Sequence, residues 1–179
     1  LVYEDQGEPF RLFAKNCVIQ PPEIRHKVLY ASDNIEVIEI GVPAEHVTTI
    51  DHNMELPTKK FNPEREFKGQ KFVHNKAEAS TWSEFRIPGF TCRDTTIAKN
   101  TRNVAGVQVV KPNGAKIKPS SHNCDILFNF VMEGNMTLTA SEQRSNELTS
   151  GDAFVIPPNI LTEYSNVSAD LELLEVSLP

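Results

Sequence analysis

The sequence lacks most features that assign a chain to a familiar functional class. Of its 179 residues only Cys17, Cys92 and Cys124 are cysteines, and no two form a CxxC pair, which indicates free cytosolic thiols acting as small apolar fillers. The 18 Lys and Arg are scattered among 24 acidic residues, for a net charge of −6. Nucleic acid and anionic membranes are therefore not expected partners. No apolar run is long enough to span a bilayer.

Familiar catalytic and nucleotide-binding motifs are also missing. The sequence contains no Gly-rich phosphate loop, no GxSxG and no HExxH. Its 8 Gly and 12 Pro separate many short apolar runs, which is typical of a β-rich chain with frequent turns. About ten short strands are predicted after residue 70, enough for a β-sandwich or a closed barrel.

The C-terminal part of the sequence has a counterpart near the beginning. Residues 15–43 align without a gap with residues 151–179, and seven positions are identical. The identical pairs are Pro21/Pro157, Pro22/Pro158, Ile24/Ile160, Ser32/Ser168, Glu36/Glu172, Glu39/Glu175 and Pro43/Pro179. His26 aligns with Thr162, an exchange that alters the chemistry. Such a repeat indicates a duplicated structural unit, and the first copy has only 14 residues ahead of Lys15.

Residues 125–132 predict a strand with two unlike faces. Side chains alternate along a strand, so one face is entirely apolar and the other is mixed. The apolar face carries Ile126, Phe128, Phe130 and Met132, and the mixed face carries Asp125, Leu127, Asn129 and Val131. We expect the apolar face to be covered, by the opposing sheet or by a dimer partner, and the mixed face to suit a partly polar cavity. Another strand is predicted at residues 35–40.

Residues 151–166 resemble the second motif of the cupin family. That motif runs Gly, five residues, Pro, one residue, Gly, two residues, His, three residues, Asn. Gly151, Pro157 and Asn166 occupy their places, whereas Asn159 stands for the second Gly and Thr162 for the His. Residues 15–26 resemble the same motif and place His26 in the position of the His.

Residues 122–134 resemble the first cupin motif, His-x-His followed by Glu and then Gly. Gly134 fits, the Glu position falls on Leu127, and His122 is the only imidazole near the two His positions. The resemblance implies a barrel that in other cupins binds a divalent metal through these residues. Such a site needs at least three protein ligands. Because Leu127 and Thr162 cannot serve, we expect the C-terminal barrel to be metal-free and this chain to hold no cofactor.

The candidate ligand-binding residues follow from the same positions. His122, Asn129 and Thr162 are expected around the barrel interior. Arg93, with Arg86 and Asp94, could line a barrel mouth that accepts a small acid, although structural ion pairing is the favoured interpretation of these residues. His26 is the candidate metal ligand, with Fe, Mn, Ni or Zn, only if residues upstream of this chain complete its site.

A polar stretch further along the chain holds a weaker candidate. His and carboxylate side chains fall within eleven residues there, at Glu45, His46, Asp51, His52 and Glu55. They could gather a metal, but the spacing matches no firm motif and such loops are usually solvated.

The sequence thus predicts an all-β protein with a cupin-type jelly-roll barrel. Its domains are a partial cupin barrel at 1–43, a linker at 44–69 and a complete barrel at 70–179. A partial barrel leaves edges uncovered, so we expect a cytoplasmic homodimer in which residues 1–43 pair with a neighbouring barrel.

Two functions remain open at this point. The C-terminal barrel is a metal-free module for binding a small polar ligand or for dimerisation. Alternatively, the protein is a metal-dependent cupin enzyme of the dioxygenase or isomerase type, acting on a small organic acid or sugar derivative through the N-terminal barrel. Fold alone does not choose between them.

Overall fold

The computed structural model describes residues 1–45, 47–141 and 143–179, and the chain divides into two compact units, Leu1–His74 and Asn75–Pro179. Regular structure is almost entirely β, which confirms the predicted fold class. The predicted domain limits at 43/44 and 69/70 stay a prediction beside this division. Among the described residues, no helix has the length and apolar character to cross a membrane.

The N-terminal unit is built from short strands. They are β1 (Val2–Tyr3), β2 (Cys17–Ile19), β3 (His26–Lys27), β4 (Glu66–Phe67), β5 (Gln70–Lys71) and β6 (Val73–Asn75). They pair as three ladders, β1 with β3, β2 with β6 and β4 with β5. The β4–β5 hairpin turns at Lys68 and Gly69, whose φ values of 48° and 81° are those of a tight two-residue loop.

An aromatic cluster forms the core of this unit. Tyr3 is 1% exposed, and its ring stacks on Phe10 at 5.9 Å and on His26 at 5.3 Å between centroids. Phe72 lies 4.5 Å from the same ring in a tilted arrangement. Aromatic contacts of this kind stabilise beyond the area they bury. They fix His26 against the cluster by its ring face.

A buried acidic pair lies beside that core. Glu4 and Asp5 are 6% and 4% exposed, and both are held by arginines. Arg25 donates to both oxygens of Glu4, with Nη2 2.9 Å from Oε1, and Arg65 bridges Glu4 and Asp5 at 2.7 and 3.0 Å. These hydrogen bonds, above all the one from Arg25, lower the pKa of Glu4 to about 2.

Glu4 therefore gives the N-terminal unit a pH dependence. Since the folded pKa of Glu4 lies below the ordinary value of a glutamate, its contribution to stability is complete above that ordinary value and is lost as pH falls toward 2. We expect Glu4→Gln to destabilise this unit by about 2 kcal/mol at pH 7 and much less at pH 3. Hydrogen exchange of residues 1–27 at both pH values measures it. Glu8→Gln, at an exposed position, is the control, and an equal loss at both pH values would contradict the assignment.

The C-terminal unit holds two sheets. Its elements are η1 (Ala77–Ala79), β7 (Trp82–Glu84), β8 (Phe90–Asp94), α1 (Ile97–Asn100), β9 (Gly106–Pro112), β10 (Ile126–Glu133), β11 (Asn135–Ala140), β12 (Asn146–Thr149), β13 (Ala153–Ile156), β14 (Thr162–Ser165) and β15 (Glu172–Leu178). One sheet has the order β13-β10-β15-β9-β8-β7 and the other β12-β11-β14. The strand pairs in the described part of this unit are antiparallel, as a jelly-roll barrel requires.

The core of this unit lies between the two sheets. Leu127, Val131 and Leu173 project from the larger sheet, and Met136 and Tyr164 project from the smaller one into the same buried cluster. Each is at most 4% exposed. Burial of such side chains contributes about 1.5–3 kcal/mol apiece, so this cluster holds the barrel together.

Strand β10 faces the core with its mixed side. Leu127, Asn129 and Val131 are 1%, 1% and 0% exposed, as the predicted cavity face requires. The apolar side is directed away from the core: Phe128 and Phe130 are half-buried, and neither belongs to the buried core cluster. The expectation that the opposing sheet covers this apolar face is therefore wrong, and cover by a dimer partner stays a prediction. The smaller sheet packs against the mixed face, because Leu127 and Val131 share the buried core cluster with its Met136, Leu138 and Tyr164.

The two motif glycines adopt the left-handed region for different local reasons. Gly134 ends β10 with φ 76°, and a Cβ there would lie 2.8 Å from the backbone N and Cα of Leu171 and even nearer to Ser168 Oγ. Gly151 has φ 96°, but a Cβ would meet nothing within 4 Å. Conformation alone requires Gly151, whereas Gly134 also permits a close approach of two chain segments.

Alanine substitutions separate these two requirements. Gly151→Ala should cost about 1 kcal/mol through its positive φ. Gly134→Ala should cost about 2 kcal/mol more, because the loop at Leu171 must move. Urea unfolding followed by the fluorescence of Trp82, the single tryptophan, reads out both. Equal losses would show that the close approach relaxes without cost.

The repeat is visible in the backbone. Lys15 and its counterpart Gly151 have φ values of 67° and 96°, and Glu23 and its counterpart Asn159 have 67° and 63°. Strands β2 and β3 likewise coincide in the alignment with β13 and β14. Residues 35–40 differ, since they form no strand in this structure although they align with β15. Whether residues 1–43 are a partial barrel stays a prediction.

Candidate functional site

A polar cavity of about 380 Å³ opens in the C-terminal unit. Strands β8, β9, β10 and β15 contribute to its wall, together with the segment that precedes β10. The residues on which the chemistry depends are Arg86, Asp94, Gln108, His122, Leu127 and Glu175. The volume is within the range of small-molecule sites.

An ion pair crosses the cavity wall. Arg86 Nη2 lies 2.6 Å from Glu175 Oε2, and Arg86 Nε lies 3.3 Å from Oε1, so the contact is bidentate. The Glu175 side chain is 7% exposed and that of Arg86 is 33% exposed. The carboxylate is thus the buried partner, and the guanidinium reaches it from the solvent side.

His122 lies at the cavity with one nitrogen engaged. Its Nε2 is 3.0 Å from the carbonyl oxygen of Ile156, and since a carbonyl only accepts, Nε2 carries the hydrogen of the neutral ring. Nδ1 then presents a lone pair, and this buried atom has no hydrogen-bond partner among the described residues. The backbone of Asn159 donates to the His122 carbonyl at 2.7 Å, which fixes the segment.

Two further buried polar groups point to the barrel interior. Asn129 is opposite Glu175 in the β10–β15 ladder, and neither Oδ1 nor Nδ2 of its amide has a partner among the residues described. The Tyr164 hydroxyl is unpartnered within the same part of the chain. Burial raises the pKa of Tyr164, the Glu175 carboxylate adds to this, and Arg86 opposes it, so the phenol is protonated at neutral pH.

The predicted ligand-binding residues are brought together in part. Thr162 is 5% exposed, and its hydroxyl donates to the carbonyl of Ser120 at 3.2 Å in the segment that leads to His122. Arg93 does not join them: its register partners are Trp82 and Val109, and its Nη1 donates to Asn75 Oδ1 at 2.5 Å. Its role in ligand binding stays a prediction.

The residues present do not fit a metal of the cupin type. Leu127 has no donor atom, the Thr162 hydroxyl is turned to a carbonyl oxygen, and only His122 retains a free lone pair. Three protein ligands are needed for a divalent ion. In the ranges that the structure describes, no group of three His, Cys, Asp or Glu side chains converges.

The N-terminal metal candidates lie elsewhere. His26 is exposed apart from its ring contact with Tyr3, and its role as a ligand depends on residues outside this chain, so it stays a prediction. In the polar stretch, His46 lies outside the described residues. Asp51 accepts from Arg25 at 3.4 Å, as expected for a solvated, ion-paired loop.

Sequence reasoning missed the buried partners Glu175 and Tyr164. Glu175 stands between Leu174 and Val176 in an otherwise apolar strand, and a charge in that setting is a signal for a paired, buried group. The repeat carries a second signal, since Glu39 occupies the corresponding position. Arg86 was among the mouth candidates, and its ion-pair interpretation agrees with the observed contact.

The topology and the position of this cavity are those of a cupin barrel. Residues 106–177 match the cupin domain family, so the C-terminal unit contains a cupin domain. No curated protein matches the sequence.

Solved structures with the same fold are distant in sequence. A putative ethanolamine utilization protein Q from Salmonella typhimurium is 18% identical, with a TM-score of 0.50 over 63% of this chain and 89% of that one. KdgF from Halomonas sp. is 17% identical, with a TM-score of 0.49 over 59% and 93%. An RmlC-like cupin from Shewanella frigidimarina is 16% identical, with a TM-score of 0.48 over 59% and 88%. At these identities the likeness concerns the fold alone.

Proposed function

We propose that the C-terminal barrel binds a small polar ligand without a metal ion. The observation that carries this is the amide of Asn129, 1% exposed on the inner face of β10 with both polar atoms unpartnered among the described residues. An unsatisfied buried polar group costs about 1–3 kcal/mol. Asn129 does not itself line the cavity, but Leu127, two residues before it on β10, and its register partner Glu175 do, and a ligand that reaches past them to the amide would recover that loss.

Metal-free binding is supported by the donor set rather than by fold. Other cupins would place Glu and His at the positions of Leu127 and Thr162. With those two donors replaced, His122 is left as a single imidazole, which supports binding of an organic ligand through hydrogen bonds.

Ligand screening with the full chain tests the proposal. Small polar compounds should raise the melting temperature equally with and without EDTA, and Asn129→Leu should abolish the shift. Leucine is similar in volume and removes an unsatisfied amide, so this variant is expected to fold. A ligand effect that requires Fe, Mn, Ni or Zn and is lost in His122→Ala would overturn it.

We also propose that the chain forms a cytoplasmic homodimer, in which residues 28–42 pair with a second copy. This segment carries strand-forming residues that are exposed, with Val28, Ile35, Val37 and Ile38 at 59%, 58%, 75% and 42%. Its counterpart β15 is paired along both edges, with β9 and β10. A sequence suited to a central strand is thus left without a β-ladder partner in the described chain, which favours addition to a neighbouring sheet.

Light scattering checks the dimer. We expect a mass of twice 20.1 kDa at micromolar concentration. Val37→Asp should produce a monomer that remains folded, since the side chain is exposed in the single chain. Val47→Asp places the same change at an 89% exposed position outside the segment and should leave the mass unchanged. A monomeric mass for the unaltered protein would contradict the proposal.

The metal-dependent enzyme remains the alternative for the N-terminal half. That enzyme requires further metal ligands beside His26, and the described residues of this chain do not supply them. A dioxygenase or isomerase activity lost in His26→Ala but retained in Asn129→Leu would favour that alternative.

A further inference from the structure

We propose that the N-terminal unit contains a binding cleft for a small molecule that carries a diphosphate group. The cleft has a volume of about 720 Å³, within the range of small-molecule sites, and all its lining residues belong to this unit. It shares no residue with the cavity of the C-terminal barrel. The inference therefore goes beyond the metal-free ligand proposed above and does not depend on it.

Two of the lining residues are buried carboxylates whose oxygens are all engaged. The side chains of Glu4 and Asp5 are 8% and 5% exposed. Glu4 Oε1 accepts from Arg25 and Arg65 at 2.9 and 2.7 Å, and Glu4 Oε2 accepts from Arg25 Nε at 3.0 Å. Asp5 accepts from the Thr58 hydroxyl at one oxygen and from Arg65 at the other, each at 3.0 Å. A ligand amine would have to displace these donors in order to bind.

The groups that a ligand can reach are mainly cationic. The side chains of Arg25, Arg65 and Lys60 are 45%, 35% and 68% exposed, and Lys59 is exposed beside them. Glu55 is the single exposed carboxylate among the described lining residues. The accessible cations lie nearer to a ligand than the buried pair does, and positive charges exceed negative ones by one even when that pair is included. The cleft therefore favours an anion.

The two guanidiniums are fixed before a ligand binds. Arg25 and Arg65 contact the same oxygen, Glu4 Oε1, so they lie next to each other. The Cζ of Arg65 also lies 4.3 Å from the centroid of the Phe67 ring. Both hydrogen bonds of Arg65 to the carboxylates come from Nη1, which leaves Nη2 and Nε to donate to a ligand. Because these donors are held in position, binding costs little side-chain entropy.

The number of donors favours a diphosphate over a carboxylate. A guanidinium donates two parallel hydrogen bonds to a carboxylate or a phosphate, so a single carboxylate occupies one guanidinium. A diphosphate has more oxygens and more charge, and it can contact both guanidiniums and the ammonium groups of Lys59 and Lys60. Arg25 Nη1 also donates to Asp51 at 3.4 Å, but that long contact between half-exposed groups is weak and would yield to a phosphate oxygen.

A series of anions tests the class of ligand. Pyrophosphate, inorganic phosphate and malonate are titrated calorimetrically into the full chain without divalent cations, at low and at physiological salt. We expect pyrophosphate to bind about tenfold tighter than the other two anions, and more weakly at the higher salt concentration because the cations are exposed. No binding of pyrophosphate, or equal binding of malonate or phosphate, would overturn the proposal. Neither result bears on the metal-free ligand of the barrel, whose cavity has other lining residues.

A pair of lysine substitutions tests the location. Removal of either arginine would leave a buried carboxylate without its partner and destabilise the unit, so the exposed lysines are changed instead. Lys59→Gln/Lys60→Gln should fold and should weaken pyrophosphate binding about tenfold. Lys116→Gln/Lys118→Gln removes the same charge at exposed positions outside the cleft and should leave the affinity unchanged. Unaltered binding in the folded Lys59→Gln/Lys60→Gln protein, or an equal loss in the control, would contradict this site.

Discussion

Replacing Arg86 by methionine should destabilise the C-terminal unit by about 3 kcal/mol. The change leaves the Glu175 carboxylate, 7% exposed, without its bidentate partner. Loss of one member of a buried pair costs about 3–5 kcal/mol, and the partial exposure of Arg86 places this case at the lower end. Urea unfolding followed by Trp82 fluorescence measures the loss.

The double variant Arg86→Met/Glu175→Leu distinguishes an unpaired charge from lost packing. If the cost is that of the stranded carboxylate, most of the stability should return in the double variant, because a well-packed apolar pair often matches an ion pair. A double variant as unstable as Arg86→Met would show instead that the stacking of the guanidinium, whose Cζ lies 5.1 Å from the Phe85 ring centroid, is the stabilising contact.

The sequence predicted the fold of this protein more completely than it predicted the polar groups of the candidate site. Turn chemistry and short strands predicted a sandwich or a barrel, and the resemblance to the cupin motifs chose the barrel. Gly134 and Gly151, which carry part of that resemblance, occupy positive-φ positions. Alternation alone predicted the cavity face of β10. Alternation could not say which face the second sheet covers, since a face of Phe128 and Phe130 looks buried on hydrophobicity alone.

The sequence did not predict which polar groups, distant along the chain, contact one another in the fold. Arg86 and Glu175 are 89 positions apart, and their contact depends on β15 lying at the centre of the larger sheet. Strand β12 was not predicted either, because Asn146 and Glu147 give it a polar, exposed sequence. It forms because β11 offers a partner, with Leu138 opposite Asn146.

The dependence of a strand on its pairing partners also explains why the two copies of the repeat differ in structure. Residues 35–40 and β15 share their apolar pattern, yet only β15 is a strand in the described structure. Strand propensity is realised where a neighbouring strand supplies hydrogen bonds. The two copies therefore share their turns, which depend on local sequence, but not the strand, which depends on pairing partners.

Two substitutions should create a metal site in the C-terminal barrel. Thr162 and Ser120 exchange two backbone hydrogen bonds, with N–O distances of 2.8 and 2.9 Å. Thr162 therefore lies against the segment that carries His122. The His122 ring contacts the carbonyl of Ile156, which is the register partner of Leu127. Leu127→Glu with Thr162→His would thus place a carboxylate and an imidazole beside His122.

His122 is already oriented as a ligand. Its Nε2–H faces a backbone carbonyl and its Nδ1 lone pair is open, which is how metal-bound histidines are usually held. We expect the double variant to bind one Co²⁺ or Zn²⁺ per chain, on the order of a thousandfold tighter than the unaltered protein. Saturation at about 100 times Kd should add about 2.7 kcal/mol of stability.

Cobalt absorption spectra and equilibrium dialysis decide the outcome. The single variants serve as controls, since each leaves only two ligands and should bind weakly. Adding His122→Ala to the double variant should abolish binding. If the unaltered protein took up as much metal as the double variant, Leu127 and Thr162 would not be what keeps this barrel metal-free, and its proposed recognition of an organic ligand through hydrogen bonds alone would be wrong.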